Sequence, residues 1–323
     1  MKEELLLKCF IETMRLKLAP GENLATFLMQ VLSLGKEAIY RRLRGEVPFT
    51  FEEVALIAQD LHLSLDELIG RGETAFIPFY FARSSLIDEE PLAGERGVPD
   101  HTRWLDEAKR SCDPGSEAGV ALNLLPVVLM MNYPSLLKFR VFKWFYQRNG
   151  GNEIKPYREV VVPRKLLWYG ADSYLTLAKI SNIFVILDKM VITHAMNDIR
   201  SFAMIGLLSR EEVEEIKRDL LALLDGLERM AATGQNKMGN KLDLFLSDIS
   251  FESTYVYTTS RAGTSCGIGI FSMNSIYSLN NNMFHAVKKW VDSLKQYSLL
   301  ITLSGEVQRR HFFKKQREMI ASL

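Results

Sequence analysis

The sequence predicts a multi-domain protein, an all-α five-helix domain over residues 1–70 followed by a larger α+β domain with an antiparallel sheet over residues 101–323. Three observations predict it. In the first 70 positions apolar residues recur at three- and four-residue spacing, in runs bounded by breakers or capping signals. From residue 71 to 100 that periodicity gives way to Gly72, Pro78, Pro91, Gly94, Gly97 and Pro99, the punctuation of a linker. Beyond it, helical and strand periods alternate over a stretch long enough for a second core.

Leu6, Leu7, Phe10, Met14 and Leu18 define an amphipathic first helix over 3–18, broken by Pro20-Gly21. The second helix, 23–32, turns Leu24, Phe27, Leu28, Val31 and Leu32 inward, and a third spans 36–44. Thr50-Phe51-Glu52-Glu53 and Ser64-Leu65-Asp66-Glu67 are capping boxes, in which hydroxyl and carboxylate satisfy each other's free backbone amides, and open the last two helices. The domain closes near Gly70. In the linker Phe76, Phe79, Tyr80 and Phe81 read as anchors docked on a surface.

In the second domain helices are expected at 101–111, 134–147, 173–181, 209–231, 282–297 and 305–321. The clearest runs from Ser209 to Ala231, where Val213, Ile216, Leu220, Leu223, Leu224 and Leu227 repeat helically behind a Ser209/Glu212 capping box. Strands are expected at 183–187, 190–194, 244–258 with a break, and 268–276. Asp188-Lys189 separates the first two as a hairpin turn would, and Ala262-Gly263 marks a second hairpin.

An apolar fraction of 47% with 24% charged residues suits a globular protein able to bury a core. A net charge of +1 excludes a global basic field, so any nucleic-acid role must rest on local charge placement. Cys9, Cys112 and Cys266 are odd in number and far apart, which suits a reducing cytosol and not a disulfide framework. Glu3, Glu4 and Lys8 spoil a signal-peptide reading. The longest apolar run, 122–131, is far short of the roughly 20 residues a membrane span needs. A cytoplasmic protein without membrane partners is expected. His62, His101, His194, His285 and His311 show no ligand spacing with each other or with the cysteines, so neither a metal nor a cofactor is expected.

The richest segment is the helix 36–44. Ile39 and Leu43 lie four apart and face inward, which leaves Glu37, Tyr40, Arg41 and Arg44 together on the opposite face. Arg presents a planar fork that can bond guanine edges, while Tyr and Lys can hold phosphates. Lys36 stands at the helix start, where groove-reading helices make their contacts. The candidate DNA-binding residues are Lys36, Glu37, Tyr40, Arg41 and Arg44. Arg41, Arg42 and Arg44 would serve equally as the solvated basic face of a protein-binding bundle. The domain as a whole is slightly acidic, which makes the local arginine face matter more.

Residues 23–69 resemble the helix-turn-helix of the lambda-repressor (Cro-type, XRE-like) superfamily of bacterial and phage transcriptional regulators. Leu32 and Ile39 match the apolar positions flanking the turn, Arg44-Gly45-Glu46 is similar to the family's exit from its recognition helix, and 61–68 is similar to its closing segment. The chain departs from the pattern at Met29, where a small residue is usual, and at Ser33, where glycine is common. The resemblance covers about a fifth of the chain. It implies binding to double-stranded DNA, a homodimer on paired half-sites and a repressor-like regulatory role, and it is silent on 71–323.

Gly263-Thr264-Ser265-Cys266-Gly267 satisfies the G-x-S-x-G pattern of a hydrolase nucleophile elbow, with Asp292 and His311 in suitable order. An elbow needs a helix after the serine, whereas Ile268-Gly269-Ile270-Phe271 reads as strand, so a hairpin is preferred and no enzymatic activity is expected. The C-terminal helix carries Arg309, Arg310, Lys314, Lys315 and Arg317 around Phe312 and Phe313, and reads as an amphipathic closing helix. It and the 209–231 helix are the expected source of dimer contacts. A pocket in the α+β domain could take a small effector, though the sequence names no residues for one. The reading is thus a dimeric, sequence-specific DNA-binding transcriptional regulator. The alternative is a protein-binding helical module on a scaffold domain, and the third is a serine hydrolase using Ser265.

Overall fold

The structure, a computed structural model, describes residues 2–18, 22–61, 63, 65, 80–82, 114–148, 156–261 and 263–323. It divides into two compact units, Met1–Pro78 and Phe79–Leu323. The expected helices at 64–69 and 101–111, and the linker apart from 80–82, lie outside the described residues.

The first unit holds α1 (Lys2–Lys17), α2 (Leu24–Leu32), α3 (Lys36–Leu43) and α4 (Phe51–Asp60). Asn23 starts α2 by accepting the Ala25 and Thr26 amides on its side-chain oxygen. Thr50 and Glu53 form the expected reciprocal cap on α4. Phe10, Met14, Leu24, Phe27, Leu28, Ile39 and Ile57 are buried together as one core, with Met29 only partly buried against it. Ser33 closes α2 in a left-handed conformation, φ 52°, which is the physical reason glycine is common there. Gly45 follows α3 at φ 77°, and a Cβ on it would also press on Leu7 at 3.1 Å.

The second unit is the expected α+β domain. Its strands are β1 (Tyr80–Ala82), β2 (Glu117–Leu122), β3 (Asn182–Asp188), β4 (Lys241–Ser247), β5 (Tyr255–Ser260), β6 (Gly263–Ile270), β7 (Asn274–Ser278) and β8 (Ser298–Leu300). Its helices are α5 (Val127–Met130), α6 (Pro134–Arg148), α7 (Arg164–Ala178), α8 (Val191–Met204), α9 (Arg210–Thr233), α10 (Asn281–Gln296) and α11 (Glu306–Ala321). The strands form one eight-stranded sheet in the order β1-β7-β6-β5-β2-β3-β4-β8.

That sheet is mixed. Both flanks are antiparallel, as expected, but β2, β3 and β4 run parallel at its centre. The cause lies in two-sided burial. Leu122, Leu187, Leu244 and Leu246 face a core shared with α6, α8, α9 and α11, while Ala121, Phe184, Ile186 and Phe245 face α10 through Phe284, Val287 and Val291. Helices covering both faces suit parallel strands joined by helical crossovers.

The hairpin expected at Asp188-Lys189 is absent, and 190–194 is not a strand. The Asp188 carboxylate accepts the Met190 amide at 2.8 Å, and the chain enters α8, which buries Val191, Ile192, Met196 and Ile199. The helix expected at 173–181 is instead the C-terminal part of the longer α7. The hairpin at 262–263 is present as β5–β6. β5 crosses β2 so closely that a Cβ on Gly119 would lie 2.3 Å from the Tyr257 ring.

The apolar stripe of α9 and the Phe312, Phe313 and Ile320 side chains of α11 are spent in the core of this same unit, so any dimer contact from these helices would have to use their other faces. Arg317 of α11 pairs with Asp225 and Glu228 of α9, and Arg309 is buried and donates to the carbonyls of Ile301 and Leu303.

Candidate nucleic-acid interface

The turn Ser33-Leu34-Gly35 joins α2 to α3, and Ile39 is wholly buried beneath α3. This fixes the direction of everything else on that helix. Four residues whose spacing placed them opposite Ile39 are all exposed: Glu37, Tyr40, Arg41 and Arg44. Lys36 is also exposed, with its ammonium 6.0 Å from the Tyr40 ring centroid. Gly35 offers no side chain to cap α3, so the helix's first amides lack a side-chain acceptor. An uncapped helix start flanked by Lys36 suits an anion.

The arginine triplet separates into two roles. Arg42 lies three residues beyond Ile39 and turns inward, where its side chain is 14% exposed. Its Nε and Nη2 donate to the two Glu53 carboxylate oxygens at 2.9 and 2.7 Å, and its Nη1 donates to the Ala38 carbonyl. The hydrogen bonds from Arg42, with that from the Thr50 amide, outweigh burial and hold Glu53 below the usual carboxylate range. Sequence spacing saw both residues but not their meeting. The signal available was the phase of Arg42 relative to Ile39.

Arg41 and Arg44 stay exposed, at 53% and 49% of the side chain. Neither is bare. Arg44 donates to both oxygens of Glu46 at 2.6 and 3.2 Å and to Glu37 at 3.3 Å, while Arg41 lies 3.7 Å from Glu46. The hydrogen bond from Arg44 lowers the Glu46 pKa. These pairs are solvent-facing and therefore weak. A phosphate or a base edge can take the acids' place.

The G-x-S-x-G segment has a different geometry from an elbow. It lies within β6, and the Ser265 hydroxyl is buried 2.6 Å from that of Thr258 on the neighbouring strand. Asp292 pairs with Lys288 and accepts from the Tyr257 hydroxyl, and His311 lies exposed on α11. Burial pushes the Cys266 thiol up to about 11. Among the described residues no cluster of His, Cys, Asp and Glu has metal-binding geometry, and no helix is long and apolar enough to cross a membrane.

Residues 6–116 match the BetR domain, a helix-turn-helix-like DNA-binding domain family. The match includes all of α2, α3 and α4 and supports a DNA-binding regulator, without singling out the Cro-type branch. No curated protein and no solved structure matches the chain.

Proposed function

We propose that the chain is a dimeric, sequence-specific transcriptional regulator that reads double-stranded DNA by laying α3 in the major groove. Arg41 and Arg44 would contact base edges or phosphates, Tyr40 and Lys36 would hold the backbone at the helix start, and Glu37 would discriminate among bases as an acceptor. The observation that carries this reading is the exposure of these five side chains around a helix whose other face is fixed by Ile39. One such helix reads only a few base pairs, so pairing two copies on half-sites about 34 Å apart supplies the missing affinity. The dimer contact would lie in the second unit, away from the faces of α9 and α11 that its own core consumes.

The test is selection of bound fragments from random DNA, followed by titration of the full chain on the selected site over a range of salt. A sequence preference, with affinity falling steeply as salt rises, is the expected result, because phosphate contacts release counterions. Absence of any preferred sequence sinks base reading, and a monomer in sedimentation sinks the dimer.

A further inference from the structure

A cavity of about 640 Å³ opens in the second unit between the β2–α5 connection, α6, α7 and the β5–β6–β7 strands. Its wall is mainly apolar, formed by Leu125, Val127, Leu177, Val256 and Ile268 among others. Into this wall is set Arg140 of α6, only 8% exposed. Its Nη2 donates to the Ser272 carbonyl at 2.5 Å, while its Nε is buried without an acceptor among the described residues. The Ser173 hydroxyl, also in the wall and buried, has no hydrogen-bond partner among them either.

Charge is the anomaly here. Among the described residues Arg140 makes no ion pair. The acid whose charge reaches it, Asp198, is itself paired with Lys143. The carboxylate on the cavity wall, Glu252, is exposed, and its charge acts on the Tyr255 hydroxyl. A buried guanidinium without a counter-charge is costly, and such groups are normally paired. The loop that receives it is strained as well. Phe271 and Ser272 are successive non-glycine residues at φ 45° and 68°, a conformation that tends to mark sites under functional constraint.

We propose that this cavity binds a small organic anion, a monocarboxylate with an apolar body, whose headgroup pairs with Arg140 and accepts from Ser173. The cavity is too large and too apolar for a bare inorganic anion, and its single buried cation matches one negative charge. The site is independent of α3, so its failure and the failure of DNA reading are separable.

The test titrates the full chain, without DNA, with octanoate, octanol, octylamine and inorganic phosphate by calorimetry. Octanoate is expected to bind saturably and at least about tenfold more tightly than octanol, with octylamine and phosphate inert. Arg140→Met, which removes the charge and keeps the stem, is expected to lose octanoate binding by about tenfold or more while melting at or above the wild-type temperature. Val128→Trp, which narrows the cavity and leaves the Arg140 side chain in the protein, is expected to lose it too. No saturable octanoate binding, equal binding of octanoate and octanol, binding of phosphate alone, or undiminished octanoate binding by a folded Arg140→Met or by Val128→Trp overturns the proposal. The octanoate–octanol comparison needs no variant and decides the matter even if Arg140→Met does not fold.

Discussion

Arg42 of α3 grips both carboxylate oxygens of Glu53 at the start of α4, so the helix proposed to enter the groove is bolted to the next through a charge-assisted fork. Glu53 also caps its own helix. Removing it therefore loses two functions at once. Glu53→Ala is expected to destabilise the first unit by about 1–3 kcal/mol, seen as faster hydrogen exchange across 50–61. A wild-type exchange pattern would refute the bolt.

The same pair sets an acid limit. The Glu53 pKa is lowered in the folded protein, first by hydrogen bonds from Arg42, so its contribution is present above the unfolded carboxylate pKa and is lost as pH falls through the folded one. Exchange protection in α4 should hold at neutral pH and decline below about pH 4.5. Protection that fades between pH 8 and 6 instead would point to a different group.

Arg41→Ala and Tyr40→Ala should weaken binding to the selected DNA by about 1–3 kcal/mol each, with no change in melting. Both side chains are exposed, so their loss opens no core cavity. Arg42→Ala should show the opposite signature, with its main effect on stability. Unchanged DNA affinity in both Arg41→Ala and Tyr40→Ala would remove α3 from the interface.

Glu46 engages Arg44 and lies near Arg41 on the face proposed to meet phosphate. Glu46→Gln removes a repulsive charge and releases the guanidinium. Affinity at low salt should rise roughly two- to fivefold, the scale of a surface pair. A fall in affinity would mean that Glu46 positions Arg44 for contact.

Ser33→Gly should raise stability by about 0.5–1 kcal/mol, since relief of the left-handed strain exceeds the added freedom of glycine in the unfolded chain. Gly119→Ala should cost about 1–3 kcal/mol, because the new methyl meets the rings of Tyr257 and Phe184. Thermal melts of the two variants in parallel check both signs.

The first unit was legible because its signals are local. The cap at Thr50 and the phase set by Ile39 act within a turn or two of where they are read. The partner of Arg42 was not, since it lies eleven residues away on another helix. In the second unit Phe184, Val185, Ile186 and Leu187 are apolar without alternation because both faces of β3 are covered, and a strand without alternation carries no mark of its direction. Arg140 was hidden in the same way. It sits between the buried Phe139 and Val141 in a helix with almost no polar face, and only the fold shows that a cavity lies beside it.

The pairing of Tyr80 with Tyr277 sets an order of events during synthesis. Most of the second unit is translated between these two residues, so the β1 edge of the sheet cannot close until β7 has left the ribosome. The contacts within α2, α3 and α4 close over short loops and form early. A nascent chain would then hold a finished first unit while the sheet still lacks an edge, and that open edge is the stage at which aggregation and chaperone capture would act on this protein.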